Sequence, residues 1–406
     1  IRDRLAYAQG VNDDIAQVRA SGDWPSLFAL AGQYPGPWTP VDTLVVQGVL
    51  TQELDYTTGP LDDELLTSSL GANAADWFPT LAKNAQAPYD PGPYVKLPLT
   101  TVPADVASSA PGSATTTATT ATVAPASASG ATAPPGSPAV DKSVASVLDQ
   151  LSQLLPNQIH HYPDSNAWAA NGPAVAGASA SQPRALLGGD PHLPQTIPSV
   201  WYEVALSAPG YQVAGASVPG VPGVLLGHNA HIAWSLTDTQ NSATFYYAEK
   251  IRGSQYYWDG AWRPMTVVHY SIPVRGGAAR QLTVDITAQG PVISQSGQLM
   301  AVDWMGNAPS NDLAALMGVN TASTFAQFKA ALAGWHAPTQ NFVYADTAGN
   351  IGVIAPGYYP QVPAGCKPWL PMPGTGACDI TGVIPYQAVP QSYDPPSHLI
   401  ATDNQR

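Results

Sequence analysis

The spacing of apolar and polar residues changes character twice along the chain. Residues 1–84 read as mainly helical. Leu5-Ala6-Tyr7-Ala8 leads into Gly10-Val11-Asn12, and Trp38-Thr39-Pro40-Val41-Asp42 supplies a start signal, with Thr39 as N-cap and Pro40 at the first helical position. Asp62-Asp63-Glu64-Leu65-Leu66 predicts a further helix toward Leu70, its acids placed in the first turn where the helix dipole favours them. Between 106 and 140 the pattern vanishes into Ala, Ser, Thr, Pro and Gly, with no charged or aromatic residue. Such a stretch buries too little apolar surface to offset its ordering entropy, so a spacer is expected. A short amphipathic helix follows, with Val144, Val147, Leu148, Leu151, Leu154 and Leu155 on one face, suited to docking on a folded body. Beyond 165 the texture becomes strand-like, in Gly- and Pro-punctuated segments at 199–206, 225–234, 245–251, 281–286 and 341–354, with at least one helix, around 323–332.

Composition narrows the partners. With 15 Lys plus Arg and a formal charge of −13, the chain lacks the clustered cations that neutralise phosphates, which excludes nucleic acid. No apolar run reaches the roughly 18 residues of a membrane span. Cys366 and Cys378, the only two cysteines, lie 12 apart in a Pro- and Gly-dense stretch. That spacing suits a disulfide closing a surface loop, and an extracytoplasmic location; the alternative is two free thiols.

Several blocks occur in a telling order. Asp164-Ser165-Asn166-Ala167-Trp168 opens the strand-rich half directly after the spacer. Gly188-Gly189-Asp190-Pro191-His192-Leu193 follows, then Gly227-His228-Asn229-Ala230-His231-Ile232-Ala233-Trp234, Tyr344-Ala345-Asp346, Leu370-Pro371-Met372-Pro373-Gly374 and Ala401-Thr402-Asp403-Asn404. Together with Ala8-Gln9-Gly10-Val11-Asn12 and the Trp38–Asp42 block upstream, this ordered set resembles the penicillin acylase (penicillin amidase) family of N-terminal-nucleophile hydrolases. The resemblance implies an α+β fold, a four-layer αββα sandwich with two mainly antiparallel sheets. It divides the chain into a light-chain-like region (1–84), a spacer (85–164) and a heavy-chain-like catalytic region (165–406). The family's heavy chain runs well past the block holding Asn404, where a site-supporting Arg follows; a sequence stopping at Arg406 therefore implies an incomplete domain.

The resemblance also implies the chemistry. Cleavage between Asp164 and Ser165 would free an α-amine to act as base for the Ser165 hydroxyl, which then attacks the carbonyl of a small acyl amide. Asn404 and the backbone N–H of Asp238 match the oxyanion donors, and His192 matches a residue beside the nucleophile that hydrogen-bonds in the site. The partners implied are the light and heavy chains of one precursor; no organic cofactor is required. His228 and Asn229 read as turn-fixing rather than catalytic.

Three departures qualify the match. Asp164 stands where relatives often carry a small residue. Of the family's calcium ligands only Glu64 has a counterpart, because Ser242 and Phe245 occupy the aspartate positions and a phenyl ring offers no oxygen to a hard cation; the calcium site is expected to be lost or weakened. Residues 51–55, where penicillin G acylases carry acyl-pocket side chains, are dissimilar, so substrate identity does not transfer. A Ser-His-Asp hydrolase would need a G-x-S-x-G elbow, which the sequence lacks. The competing reading is a secreted, catalytically silent scaffold that kept the fold and lost processing; a cell-wall protein with an Ala-Thr-Pro stalk is a third.

Overall fold

The computed structural model describes residues 2–32, 34–71, 98–101, 165–175, 185–194, 196–274, 276–295 and 297–404. The low-complexity stretch, the helix expected across 144–155, Asp164 and Arg406 lie outside them.

The N-terminal region is helical as its sequence predicts: α1 (Arg2–Ser21), α2 (Ser26–Ala31), α3 (Pro40–Asp55) and α4 (Gly59–Leu70). Thr39 starts α3, and the Asp42 carboxylate accepts from both its N–H (2.6 Å) and its hydroxyl (2.7 Å). These bonds satisfy groups at the helix start and hold the Asp42 pKa below its ordinary value. Asn12 clasps Trp38 by both backbone groups, at 2.7 and 2.8 Å, which sets α1 against α3.

These helices are tied to the strand-rich region by specific bonds. Gly220 N–H donates to the Tyr7 hydroxyl (3.0 Å), Thr57 N–H to Thr244 Oγ1 (3.1 Å), and the Tyr246 hydroxyl to Thr57 O (3.1 Å). Thr100, inside the expected spacer, forms a bridge with Val383 through backbone bonds of 2.9 and 2.8 Å.

Three of the five sheets among the described residues organise the rest. A seven-stranded antiparallel sheet runs Gln391–Tyr393, Ile351–Ile354, Gln340–Asp346, Ile232–Asp238, Leu226–Asn229, Tyr211–Ser217, Tyr202–Ala208. A three-stranded antiparallel sheet places Asn166–Asn171 between Ala185–Asp190 and Leu399–Thr402. A six-stranded sheet is built from hairpins across 266–304 together with Thr244–Ala248 and Met372–Pro373, the last pairing in parallel.

The strand-like segment at 225–234 is a hairpin. Asn229 Oδ1 accepts from the N–H of His231 (2.8 Å) and Ile232 (2.9 Å), a side-chain turn that reverses the chain. Its Nδ2 donates to Ala322 O (2.8 Å), so Asn229 has the turn-fixing role read from the sequence. The helix expected near 323–332 is α6 (Phe325–Leu332), capped by Thr324, and it is preceded by a helix the pattern did not reveal, α5 (Asp312–Thr321). Six of the ten residues of α5 are buried, so it shows no polar face to mark its period.

Helices α5 and α6 cover one face of the seven-stranded sheet, where Phe328, Leu332, Phe342 and Tyr344 are fully buried. Burying each such ring is worth roughly 2–3 kcal/mol. The opposite face receives the three-stranded sheet, with Ala167, Ala169 and Ile400 packed on Val343, Ile351 and Val353. A mixed α+β architecture with stacked antiparallel sheets results. The far face of the small sheet exposes Trp168 (42%), Leu186 (52%) and Leu399 (50%), and no helix among the described residues covers it.

Close stacking requires glycine at one point. A Cβ on Gly189 would sit 1.8 Å from Ser235 Oγ and 2.5 Å from Ser235 Cβ, and Ser235 is buried. Gly189→Ala is therefore expected to lower stability by about 1–3 kcal/mol in urea melts, and Ser235→Gly in the same chain to recover most of it. Cys366 and Cys378 form the expected disulfide. Cys378 lies inside an apolar cluster with Tyr247 and Met372, so this bridge anchors the loop to the core.

Candidate active site

Strand pairing brings Ser165 and His192 together. Asn166 lies opposite Asp190, so the residue before one strand and the residues after the other emerge side by side. Ser165 Oγ accepts the backbone N–H of His192 at 2.9 Å. The His192 ring turns away from that contact, its Nε2 lying 2.8 Å from Asp190 Oδ2. His192, expected from sequence, thus lies beside Ser165, and its contact with the serine oxygen comes from its main chain.

The other two residues arrive on neighbouring strand ends. Asp238 closes Ile232–Asp238, and Asn404 lies two residues past Leu399–Thr402. Thr402 joins the sheets, accepting from the Thr237 hydroxyl (2.9 Å) and donating to Ala167 O (3.3 Å). Asn341 Nδ2 donates to Thr237 Oγ1 (3.1 Å) and Asp238 O (3.2 Å), fixing the end of the Ile232–Asp238 strand. Asp238 N–H donates to Asn404 Oδ1 at 2.9 Å. Asn404 has φ of 58°, a left-handed conformation that Asn tolerates better than most side chains.

Ser165, His192, Asp238 and Asn404 all line one cavity of about 690 Å³. Its walls are largely aliphatic, with Leu50 and Leu54 from α3, Val221, Leu236, and Leu313 and Leu316 from α5. A concave apolar site with a few convergent polar groups is the usual form of a small-molecule site. Thr51, Glu53 and Leu54 line it too, so the dissimilar stretch at 51–55 does face the ligand space.

Two carboxyl groups that the sequence did not single out belong to this region: Asp312 lines the cavity, and Asp55 ends α3 between the lining residues Leu54 and Tyr56. Burial pushes Asp55 up to about 7, with the nearby Asp238 carboxylate adding to the shift. Burial likewise pushes Asp312 up to about 6, against hydrogen bonds from Ser310, the His336 and Ala337 backbone, and Gln47 that lower it. A raised carboxyl pKa means that the folded state holds protons the unfolded chain has released. Stability is accordingly fullest below pH 4 for these groups and is lost as pH rises toward about 7. Asp55→Asn should flatten that decline in thermal melts between pH 4 and 8, raising stability at pH 8 by on the order of 1 kcal/mol or more. A variant as pH-sensitive as the parent would contradict this assignment.

At the positions of the family's calcium ligands, Phe245 is 1% exposed within an apolar cluster and Ser242 is exposed. Burial raises the Glu64 pKa on α4, which packs against the strand carrying Phe245.

Comparison with known proteins decides the family. The family model described as "Penicillin amidase" matches residues 3–406. The chain belongs to the penicillin amidase family. Penicillin G acylase of Escherichia coli is 29% identical over 272 residues, 65% of this chain and 31% of that protein. The penicillin acylase 2 proenzyme of Pseudomonas sp. (strain SE83) is 31% identical across 67% of the chain and 36% of the relative. The acyl-homoserine lactone acylase QuiP of Pseudomonas aeruginosa is 25% identical across 98% of the chain and 44% of its own length. Among solved structures, the thermostable penicillin G acylase from Alcaligenes faecalis superposes with a TM-score of 0.53 at 27% identity, over 59% of this chain and 44% of that one. The chain thus spans about a third to under a half of the length of these relatives. As a penicillin amidase family member it has the N-terminal-nucleophile hydrolase fold that its stacked antiparallel sheets display.

Proposed function

We propose that the protein is an amidohydrolase that cleaves a linear amide with an apolar acyl group, using Ser165 freed at its own amino terminus by self-cleavage after Asp164. The carrying observation is the convergence of Ser165 Oγ, the Asp238 N–H and the Asn404 amide on one aliphatic cavity.

A serine hydroxyl is a weak nucleophile until a base accepts its proton, and an α-amine with a pKa of about 7.7–8.0 can do so near neutrality. The Ser165 oxygen attacks the amide carbonyl while its proton passes to the amine. The tetrahedral intermediate collapses as that proton is delivered to the leaving nitrogen. Water then attacks the acyl-serine ester, with the same amine as base, and the acid is released. His192 N–H holds the hydroxyl in place throughout. Negative charge developing on the carbonyl oxygen needs donors, each worth about 3 kcal/mol of barrier. In the resting geometry Asp238 N–H is directed at Asn404 Oδ1. A substrate oxyanion would take the place of Asn404 Oδ1 as acceptor of this N–H, and rotation of the displaced Asn404 amide would turn Nδ2 toward the same oxyanion, so that both groups donate to it.

The relatives' names give two substrate types, the acyl side chain of a penicillin and an N-acyl-homoserine lactone. The aliphatic cavity walls are compatible with either. Calcium takes no part in this scheme, since Phe245 presents carbon where an oxygen ligand would be needed. The disulfide supports maturation in an oxidising compartment. Intact mass and N-terminal sequencing of the purified full-length protein test the scheme. Two chains, the heavier beginning Ser-Asn-Ala-Trp, with turnover of an acyl amide, are expected. One uncleaved chain without turnover would instead establish the silent scaffold.

A further inference from the structure

The catalytic cavity is separated from a second one by a single layer of side chains. Gln47, Thr51, Asp312, Leu313 and Ala337 line both the 690 Å³ cavity and a neighbour of about 420 Å³. Ser165, His192, Asp238 and Asn404 line the first alone, so this partition stands apart from the reacting groups.

The partition is closed by hydrogen bonds. Gln47 Nε2, on α3, donates to Asp312 Oδ2 at 2.8 Å. The Ser310 hydroxyl donates to the same oxygen, and His336 N–H donates to Oδ1 at 2.6 Å. Asp312 is 4% exposed and held from three sides, whereas Gln47 is only partly buried and reaches it along a flexible side chain. The two compartments also differ in chemistry. On the catalytic side the partition continues into Leu50, Leu54 and Leu316; on the other it faces Asp3, Arg4, Ser310 and Asn311.

We infer that the Gln47 amide is the end wall of the acyl subsite and sets the longest unbranched acyl chain that the enzyme accepts. The inference rests on the amidohydrolase reading. A flexible polymethylene tail suits a channel of leucines and valines, and each methylene buried there raises kcat/KM roughly fourfold. A tail long enough to reach Gln47 must break its bond to Asp312 and leave a buried acceptor short of one donor, so the gain stops at the wall. Shortening residue 47 joins the two compartments and lets the tail continue; enlarging it moves the wall inward.

The test uses full-length processed protein and a series of straight-chain acyl p-nitroanilides from butanoyl to tetradecanoyl. The readout is the ratio of kcat/KM for tetradecanoyl to that for octanoyl, which cancels any general loss of activity. Gln47→Ala should raise this ratio about sixteenfold, as expected if two added methylenes are accommodated, and Gln47→Tyr should lower it. Because the two variants move it in opposite directions, either one that folds, by circular dichroism and thermal melt, is informative. A ratio equal to the parent's in a folded variant overturns the end-wall assignment and leaves the hydrolase intact. If the parent protein cleaves no anilide of any length, the hydrolase reading itself falls, and this inference with it.

Discussion

Ser165→Ala is expected to give a folded single chain that is never cut before residue 165 and that hydrolyses acyl amides at the background rate. The loss should be roughly 10⁴-fold or more in kcat/KM, because removing a nucleophile eliminates the covalent route altogether. In the proposed scheme the same oxygen carries out both events: it attacks its own preceding carbonyl during maturation and the substrate carbonyl afterwards. Its loss leaves the surrounding structure little changed, since among the described residues Oγ accepts a single N–H, that of His192. Ser165→Cys offers the complementary result. A thiolate can replace the alkoxide in the acyl shift, so a cut chain with altered turnover is expected. Mass spectrometry reads the cleavage and a chromogenic anilide reads the turnover. Wild-type rates from the uncut alanine variant would remove Ser165 from the mechanism.

Asn404→Asp is expected to lower kcat by about 10²–10³ with KM little changed, the usual cost of losing one oxyanion donor. This substitution separates two roles. An aspartate can still accept the Asp238 N–H, as Asn404 Oδ1 does at 2.9 Å, so a purely architectural role would survive. It cannot donate, and its charge opposes the developing oxyanion. Asn404→Gly relieves the positive φ while deleting both functions, and should match the aspartate variant in kcat. Steady-state kinetics on processed protein distinguish the cases. If the aspartate variant kept full kcat while the glycine variant lost it, the side chain would be an acceptor for the strand end, and the second oxyanion donor would have to be sought elsewhere.

Local signals in the sequence anticipated local structure. Thr39, Pro40 and Asp42 mark a helix start that needs no tertiary context, and Asn229 marks a turn for the same reason. Block order singles out Ser165, Asp238 and Asn404, and strand register brings these three residues to one cavity. What the sequence could not display arises from burial. Helix α5 lacks a polar stripe because sheet and helix enclose it, so its period was hidden. Asp55 and Asp312 read as ordinary acids until their environments are known, although an acid at the head of the apolar run Asp312-Leu313-Ala314-Ala315-Leu316 is a local sign of burial. The cavity wall draws on segments hundreds of residues apart, a combination with no linear signature.

The bonds from Tyr7, Gln47 and Thr57 to Gly220, Asp312 and Thr244 have a consequence for what scission would produce. None of them depends on continuity of the polypeptide, so the two products would remain one particle after the link between them is severed. A mature sample should elute as a single peak under native conditions and resolve into two bands only once urea or detergent strips the helices from the sheets. Dilution alone would leave the pair together.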